Sequence, residues 1–151
     1  MRLRKVKGVF LALAALAVTC LTSATSATWA MAPFVSEDFS GVYDCTGQDD
    51  HEGAYSGVVT LQRVSAQSTG AYGAYKFTLD VPGYGSYPGQ AAAKGRSMAI
   101  HFANVDPTTQ DFGTGIATFK RGPTGRWMFE KYYFEPEYKG GNFGFENCHQ
   151  R

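Results

Sequence analysis

Much of what defines other protein classes is missing from this chain. Its three cysteines stand at positions 20, 45 and 148 of 151 residues, without the paired spacing that a zinc site needs. Its longest apolar run, Val9–Leu21, falls short of the ~20 residues that span a bilayer. No serine sits in a Gly-x-Ser-x-Gly elbow, so that hydrolase signature is absent. No stretch sustains a helical period, and there is no internal repeat or low-complexity tract. Positive charge is not in surplus either: 14 Lys and Arg stand against 13 Asp and Glu.

What is present begins with an export pattern. Residues 1–8 carry four positive charges and no acid, Val9–Leu21 is apolar, and small residues follow in TSATSATWAMA. A basic start, a short apolar core and a small-residue exit make a secretory signal peptide, expected over residues 1–27 with cleavage between about 27 and 32. A lipid anchor at Cys20 is not expected: Ala17-Val18-Thr19 lacks the aliphatic and small residues that precede such a cysteine. Removing the signal takes four positives and no acids, leaving 10 against 13, a net of −3. Such a chain has no basic patch to neutralise phosphates, which excludes a nucleic-acid binder. No further segment is long enough for a transmembrane helix. The expected localisation is periplasmic or secreted.

Export leaves two cysteines, Cys45 and Cys148, and one possible pairing in an oxidising compartment. Between them the pattern is period two. Tyr75, Phe77, Leu79 and Val81 alternate with Lys76, Thr78 and Asp80; Phe39–Thr46, Tyr55–Val64, Ser97–Ala103, Gly113–Lys120, Arg126–Glu135 and Phe143–Cys148 alternate likewise, with a weaker run at Gln90–Lys94. Pro82-Gly83, Asp106-Pro107, Gly122-Pro123-Thr124-Gly125 and Lys139-Gly140-Gly141-Asn142 punctuate them. Tyr84–Gly89 is expected as a Gly/Tyr/Pro loop or irregular edge. The whole predicts an all-β fold: a single small antiparallel meander β-barrel of seven or eight strands over residues 38–151. A flexible lead-in is expected at 28–37. A Cys45–Cys148 bridge would tie first strand to last.

Gly41-Val42-Tyr43, opening the first strand, resembles the Gly-x-Trp opening of calycin barrels, the lipocalins and avidins, with Tyr in place of Trp. That resemblance implies a barrel of about eight meandering strands around a ligand. Tyr43-Asp44-Cys45 and Asn147-Cys148 are similar to the ends of periplasmic C-type lysozyme inhibitors. Their Ser-Gly-x-x-Tyr loop has no counterpart, because Ser56-Gly57 runs on into Val58-Val59-Thr60, and no functional residue is transferred.

Few residues suggest chemistry. Gln48-Asp49-Asp50-His51-Glu52 clusters oxygen donors, but its spacing is not that of a calcium loop and reads as a solvated hairpin. Glu130, Glu135 and Glu137 could supply a catalytic carboxylate pair; Glu135-Pro136-Glu137 reads instead as a strand end. His51, His101 and His149 have no evident nucleophile, and His101 alternates away from Met98, Ile100 and Phe102. Trp127 and Tyr75 read as core. Tyr84 and Tyr87, between Pro82 and Pro88, are the candidate contacts for a ligand or partner, since tyrosine on glycine-rich chain offers rigid amphipathic area. The function expected is therefore a non-enzymatic exported binding module, taking a small ligand in the barrel or a protein on its loops. The alternative is a periplasmic inhibitor or immunity-type protein acting on a cell-wall hydrolase. No catalytic residue, metal or cofactor is expected.

Overall fold

The computed structural model describes residues 31–151; the expected signal peptide and Cys20 lie outside the described residues. Eight strands follow one another: β1 (Gly41–Asp49), β2 (Gly53–Arg63), β3 (Tyr72–Val81), β4 (Gly85–Lys94), β5 (Ser97–Ala103), β6 (Phe112–Arg121), β7 (Trp127–Glu135) and β8 (Asn142–Gln150). Each pairs antiparallel with the next and β8 returns to β1, so the sheet closes and leaves no free edge. Tight turns make this possible. Gly83, at φ +87°, takes a left-handed conformation that a side chain would resist, and reverses the chain directly after Pro82.

Period-two alternation places one face of every strand inside. β3 buries Tyr75, Phe77, Leu79 and Val81, and β5 buries Met98, Ile100 and Phe102. An eight-strand barrel is just wide enough for its own side chains to fill, and here the large rings need glycine opposite them. A Cβ on Gly47 would lie 2.2 Å from the Tyr55 ring, and one on Gly144 would lie 2.2 Å from the Tyr133 hydroxyl.

The ends meet as the cysteines predict. Cys45 and Cys148 are direct partners in the β1–β8 ladder, their Cα atoms 4.1 Å apart, and they form a buried disulfide across 103 residues of chain. The closed eight-strand meander is compatible with the fold-level resemblance to calycin barrels. Among the described residues no helix is long and apolar enough to cross a membrane.

One local feature departs from the expectations. Tyr84–Gly89, expected as a loop or irregular edge, is mostly strand: β4 starts at Gly85, and Tyr87 pairs with Leu79. The turn-like composition is accommodated because β5 joins the ladder only at Gly89; ahead of it Ser86 O accepts from Val105 N–H, and Pro88's missing N–H is tolerated. The described part of the lead-in, in turn, packs against the barrel. Val35 N–H donates to Gly70 O and Glu37 pairs with Arg96; Asp38, just after it, pairs with Arg63.

Candidate functional site

An up-and-down barrel puts alternate turns at opposite ends, and here the two ends differ in chemistry. One end, where residues 31–40 enter, is plugged. Phe39 is fully buried, stacked on Phe119 at 4.2 Å between ring centroids and edge-on to Trp127 at 4.8 Å. The backbone on either side of the ring is bonded as well: Phe39 O accepts from Tyr43 OH at 2.7 Å, and the preceding Asp38 O accepts from Trp127 Nε1 at 3.0 Å. Phe119 and Phe129 continue the stack inward, 4.9 Å apart.

The other end gathers the β1–β2, β3–β4, β5–β6 and β7–β8 connections around a cavity of about 50 Å³. Its lining combines tyrosines with carboxylates from four directions, among them Asp49, Asp111, Glu135 and Glu146, with Lys131 beneath. That volume is room for roughly three to five water molecules, far below the space a lipocalin-type ligand would need.

Each carboxylate is placed by its strand. Asp49 ends β1, where its Oδ1 accepts from the N–H groups of His51 (2.9 Å) and Glu52 (2.8 Å) and pins the hairpin. Its Oδ2 accepts from Tyr133 OH and Asn142 Nδ2, both at 2.7 Å. Burial opposes this charge, but the Asn142 amide, the Glu52 N–H, the Tyr133 hydroxyl and the His51 N–H outweigh it and hold the carboxyl below the usual range. Deeper in, Glu146 accepts from Tyr55 OH at 2.5 Å and lies 2.7 Å from Lys131 Nζ. That ion pair has the right distance but a poor angle, so Lys131 Nζ is left without an aligned hydrogen-bond acceptor. The rings of Phe77, Phe102 and Tyr133 surround the ammonium at 5.1–5.3 Å.

Asp111 and Glu135 are different. Asp111 is 8 % exposed; Tyr87 OH donates to its Oδ2 at 2.8 Å, and the Glu135 carboxyl hydrogen-bonds to it from β7. Glu135, at the end of β7, accepts from Asn142 Nδ2 and faces Asp111. Burial, and then the Asp111 charge, push the Glu135 carboxyl up to about 8, the Asn142 amide opposing. The two carboxyl groups thus share a buried corner in which Glu135 holds its proton more tightly than a free carboxyl does.

Tyr87 lies inside the barrel as part of this lining, its hydroxyl pushed well above the usual tyrosine range first by burial and then by its bond to Asp111. Tyr84 stands at the rim, 45 % exposed, its hydroxyl 3.4 Å from Glu52 Oε2. The structure therefore brings the two candidate tyrosines to one pocket, from the inside and the outside respectively. The polar hairpin of residues 48–52 is only partly solvated, since Asp49 is buried. Of the three glutamates considered as a pair, Glu130 lies outside the barrel against Lys120, Glu137 is exposed, and Glu135 alone reaches the cavity.

Sequence reasoning does not single out Asp111, Lys131 or Glu146. Lys131 and Glu146 occupy inward positions of strands whose outward positions are equally apolar, so alternation alone does not mark them. Direct comparison adds no further assignment: no family model matches the chain, and no curated protein or solved structure matches it significantly.

Proposed function

We propose that this domain is an exported, calycin-like binding module whose site is the open mouth of the barrel, with Tyr84 and Tyr87 among its contacts and no catalytic role. The observation that carries the reading is the cavity at the mouth, lined by Tyr84, Tyr87 and the Asp111–Glu135 pair, while Phe39 fills the opposite end. The plugged opposite end supports the same site, because the mouth is where the interior is reachable. The size of the cavity restricts the ligand to a small group, or to one end of a larger molecule.

The test is backbone amide NMR of the folded, oxidised domain titrated with small cationic, neutral and anionic fragments. Shifts concentrated around Asp49, Tyr87, Asp111 and Glu135 are expected for at least one class. If millimolar fragments of every class leave those amides unmoved, the mouth is not a ligand site.

The inhibitor or immunity-type alternative draws on a different surface. On the outer face the ladders align Ala99 with Ile116, Ile116 with Tyr132, and Tyr132 with Phe145. Ile116 is 64 % and Phe145 54 % exposed, and Phe134 and Phe143 lie in the adjoining row. An apolar patch of this kind suits a protein partner. Capture of a cell-wall hydrolase that is abolished by Tyr132→Ser with Phe145→Ser would favour this reading over the mouth.

A further inference from the structure

Charge is distributed unevenly over the outside of the barrel. Asp44 on β1 and Lys76 and Asp80 on β3 point outward and are exposed. From β4 to β8, in contrast, two neighbouring ladder rows hold no Asp, Glu, Lys or Arg. One runs Ala92, Ala99, Ile116, Tyr132, Phe145, and the next runs Gln90, His101, Thr114, Phe134, Phe143. Tyr132, Phe143 and Phe145 form a cluster within this face, their ring centroids 5.5–6.5 Å apart.

Ile116 and the four rings are about half exposed on average, which at about 200 Å² for a whole large side chain leaves roughly 500 Å² of apolar surface in water. The exposed small and polar residues beside them bring the face toward the roughly 800 Å² that each partner gives to a stable interface. Lack of charge together with abundant aromatic rings is the composition of an interface centre. The closed sheet offers no strand edge, so a partner must pack on this face side chain to side chain.

The order of residues along the rows identifies that partner. In the first row two small residues, Ala92 and Ala99, precede Ile116, and two large rings follow it. Ala92, Ala99 and Thr114 floor a shallow trough walled by Ile116, Tyr132 and Phe134. Ridge and trough thus lie side by side, each the complement of the other. We infer that this face pairs with the same face of a second copy of the chain, about a two-fold axis along β6. That operation sets Tyr132 of one copy over Ala99 of the other, Phe145 over Ala92, and Ile116 against Ile116. The second row follows the same sense, with Phe134 meeting His101. A partner of different sequence would have to supply both a ridge and a trough at this spacing; a second copy supplies both by symmetry.

Sedimentation equilibrium of the folded, disulfide-bonded domain from about 10 μM to about 1 mM tests this. A monomer–dimer equilibrium is expected, with the dimer predominant at the upper end. Ala99→Glu, which puts a charge in the trough, and Tyr132→Lys, which puts one on the ridge, are each expected to weaken association at least about tenfold. Mixed in equal amounts, the two variants are expected to recover it as a heterodimer, because one ridge–trough contact becomes Glu to Lys and the other stays unaltered. Thr60→Lys, exposed on β2, should leave the dimer intact. A domain that stays monomeric at about 1 mM overturns the inference, whether the face then takes phospholipid vesicles, a cell-wall hydrolase or nothing. A dimer that persists in both variants, or variants that do not recover on mixing, overturns the pairing along β6. Both altered side chains are exposed in the single copy. Should either variant lose its native near-ultraviolet dichroism, Ile116→Lys, on the axis, takes its place and is likewise expected to be monomeric. None of these outcomes bears on the mouth, whose test is separate.

Discussion

Lys131 and Glu146 are direct partners across β7 and β8, their charged groups 2.7 Å apart and both side chains wholly enclosed by the barrel. Taking two charges out of water costs several kcal/mol each, which mutual attraction and the Tyr55 hydrogen bond offset only while both partners are present. Lys131→Met, which strands the carboxylate, is therefore expected to lower unfolding stability by about 3–5 kcal/mol. Lys131→Met combined with Glu146→Gln, which keeps an acceptor for Tyr55, should restore most of it. Denaturant unfolding of both variants checks this; equal losses in the two would mean that packing of the lysine stem, not charge pairing, holds the site.

Cys45 and Cys148 act on the ladder that closes the barrel. The 103-residue separation makes the bridge a large constraint on the unfolded chain. Replacing both by serine is expected to cost about 2–5 kcal/mol and to leave the β1–β8 pairing as the weakest seam. Hydrogen exchange checks the location: amides of β1 and β8 should lose protection before those of β3 and β4. Uniform loss would show that the bridge stabilises the whole domain without favouring that seam.

How far the sequence could be read depends on contrast between strand faces. In β3 the inward residues are apolar and the outward ones polar, so both the strand and its orientation are plain from alternation alone. In β7 the inward set is Trp127, Phe129, Lys131, Tyr133 and Glu135, while the outward set holds Met128, Tyr132 and Phe134. Both faces are mixed, and alternation cannot say which one turns in. The acidic mouth is hidden for that reason and a second one: its members come from β1, the loop before β6, β7 and β8, and only closure of the barrel brings them together. Tyr87 is legible as a candidate through its glycine and proline neighbours, yet that same composition makes β4 look like a loop.

Phe39 offers a separate test of the plugged end. It precedes β1, is fully buried, and contacts Phe119, Trp127 and Tyr75. Truncation to alanine removes a ring that the surrounding aromatics cannot collapse to replace, with an expected cost of about 3–5 kcal/mol. Phe39→Leu should recover more than half of that. If Phe39→Ala unfolds at the same denaturant midpoint as the unaltered domain, the segment before β1 contributes no core.

The mouth makes stability depend on pH in two opposing windows. Glu135 in the folded state titrates at about 8, well above its ordinary carboxyl value of 4.5, so between those limits the folded protein holds a proton that the unfolded chain has released. Stability from this group is fully present below the ordinary carboxyl range and is lost as pH rises toward 8. The slope is at most about 1.4 kcal/mol per pH unit for one proton. Asp49 acts oppositely: its carboxyl is held below its ordinary 3.8, so its contribution is present above that value and lost as pH falls through the lowered one. Unfolding midpoints measured across the range should therefore peak in the mildly acidic region and decline on both sides. Glu135→Gln, which cannot ionise, is expected to flatten the alkaline side and to be the more stable protein above pH 8, leaving the acid side unchanged. An alkaline decline that persists in Glu135→Gln would assign it to another group.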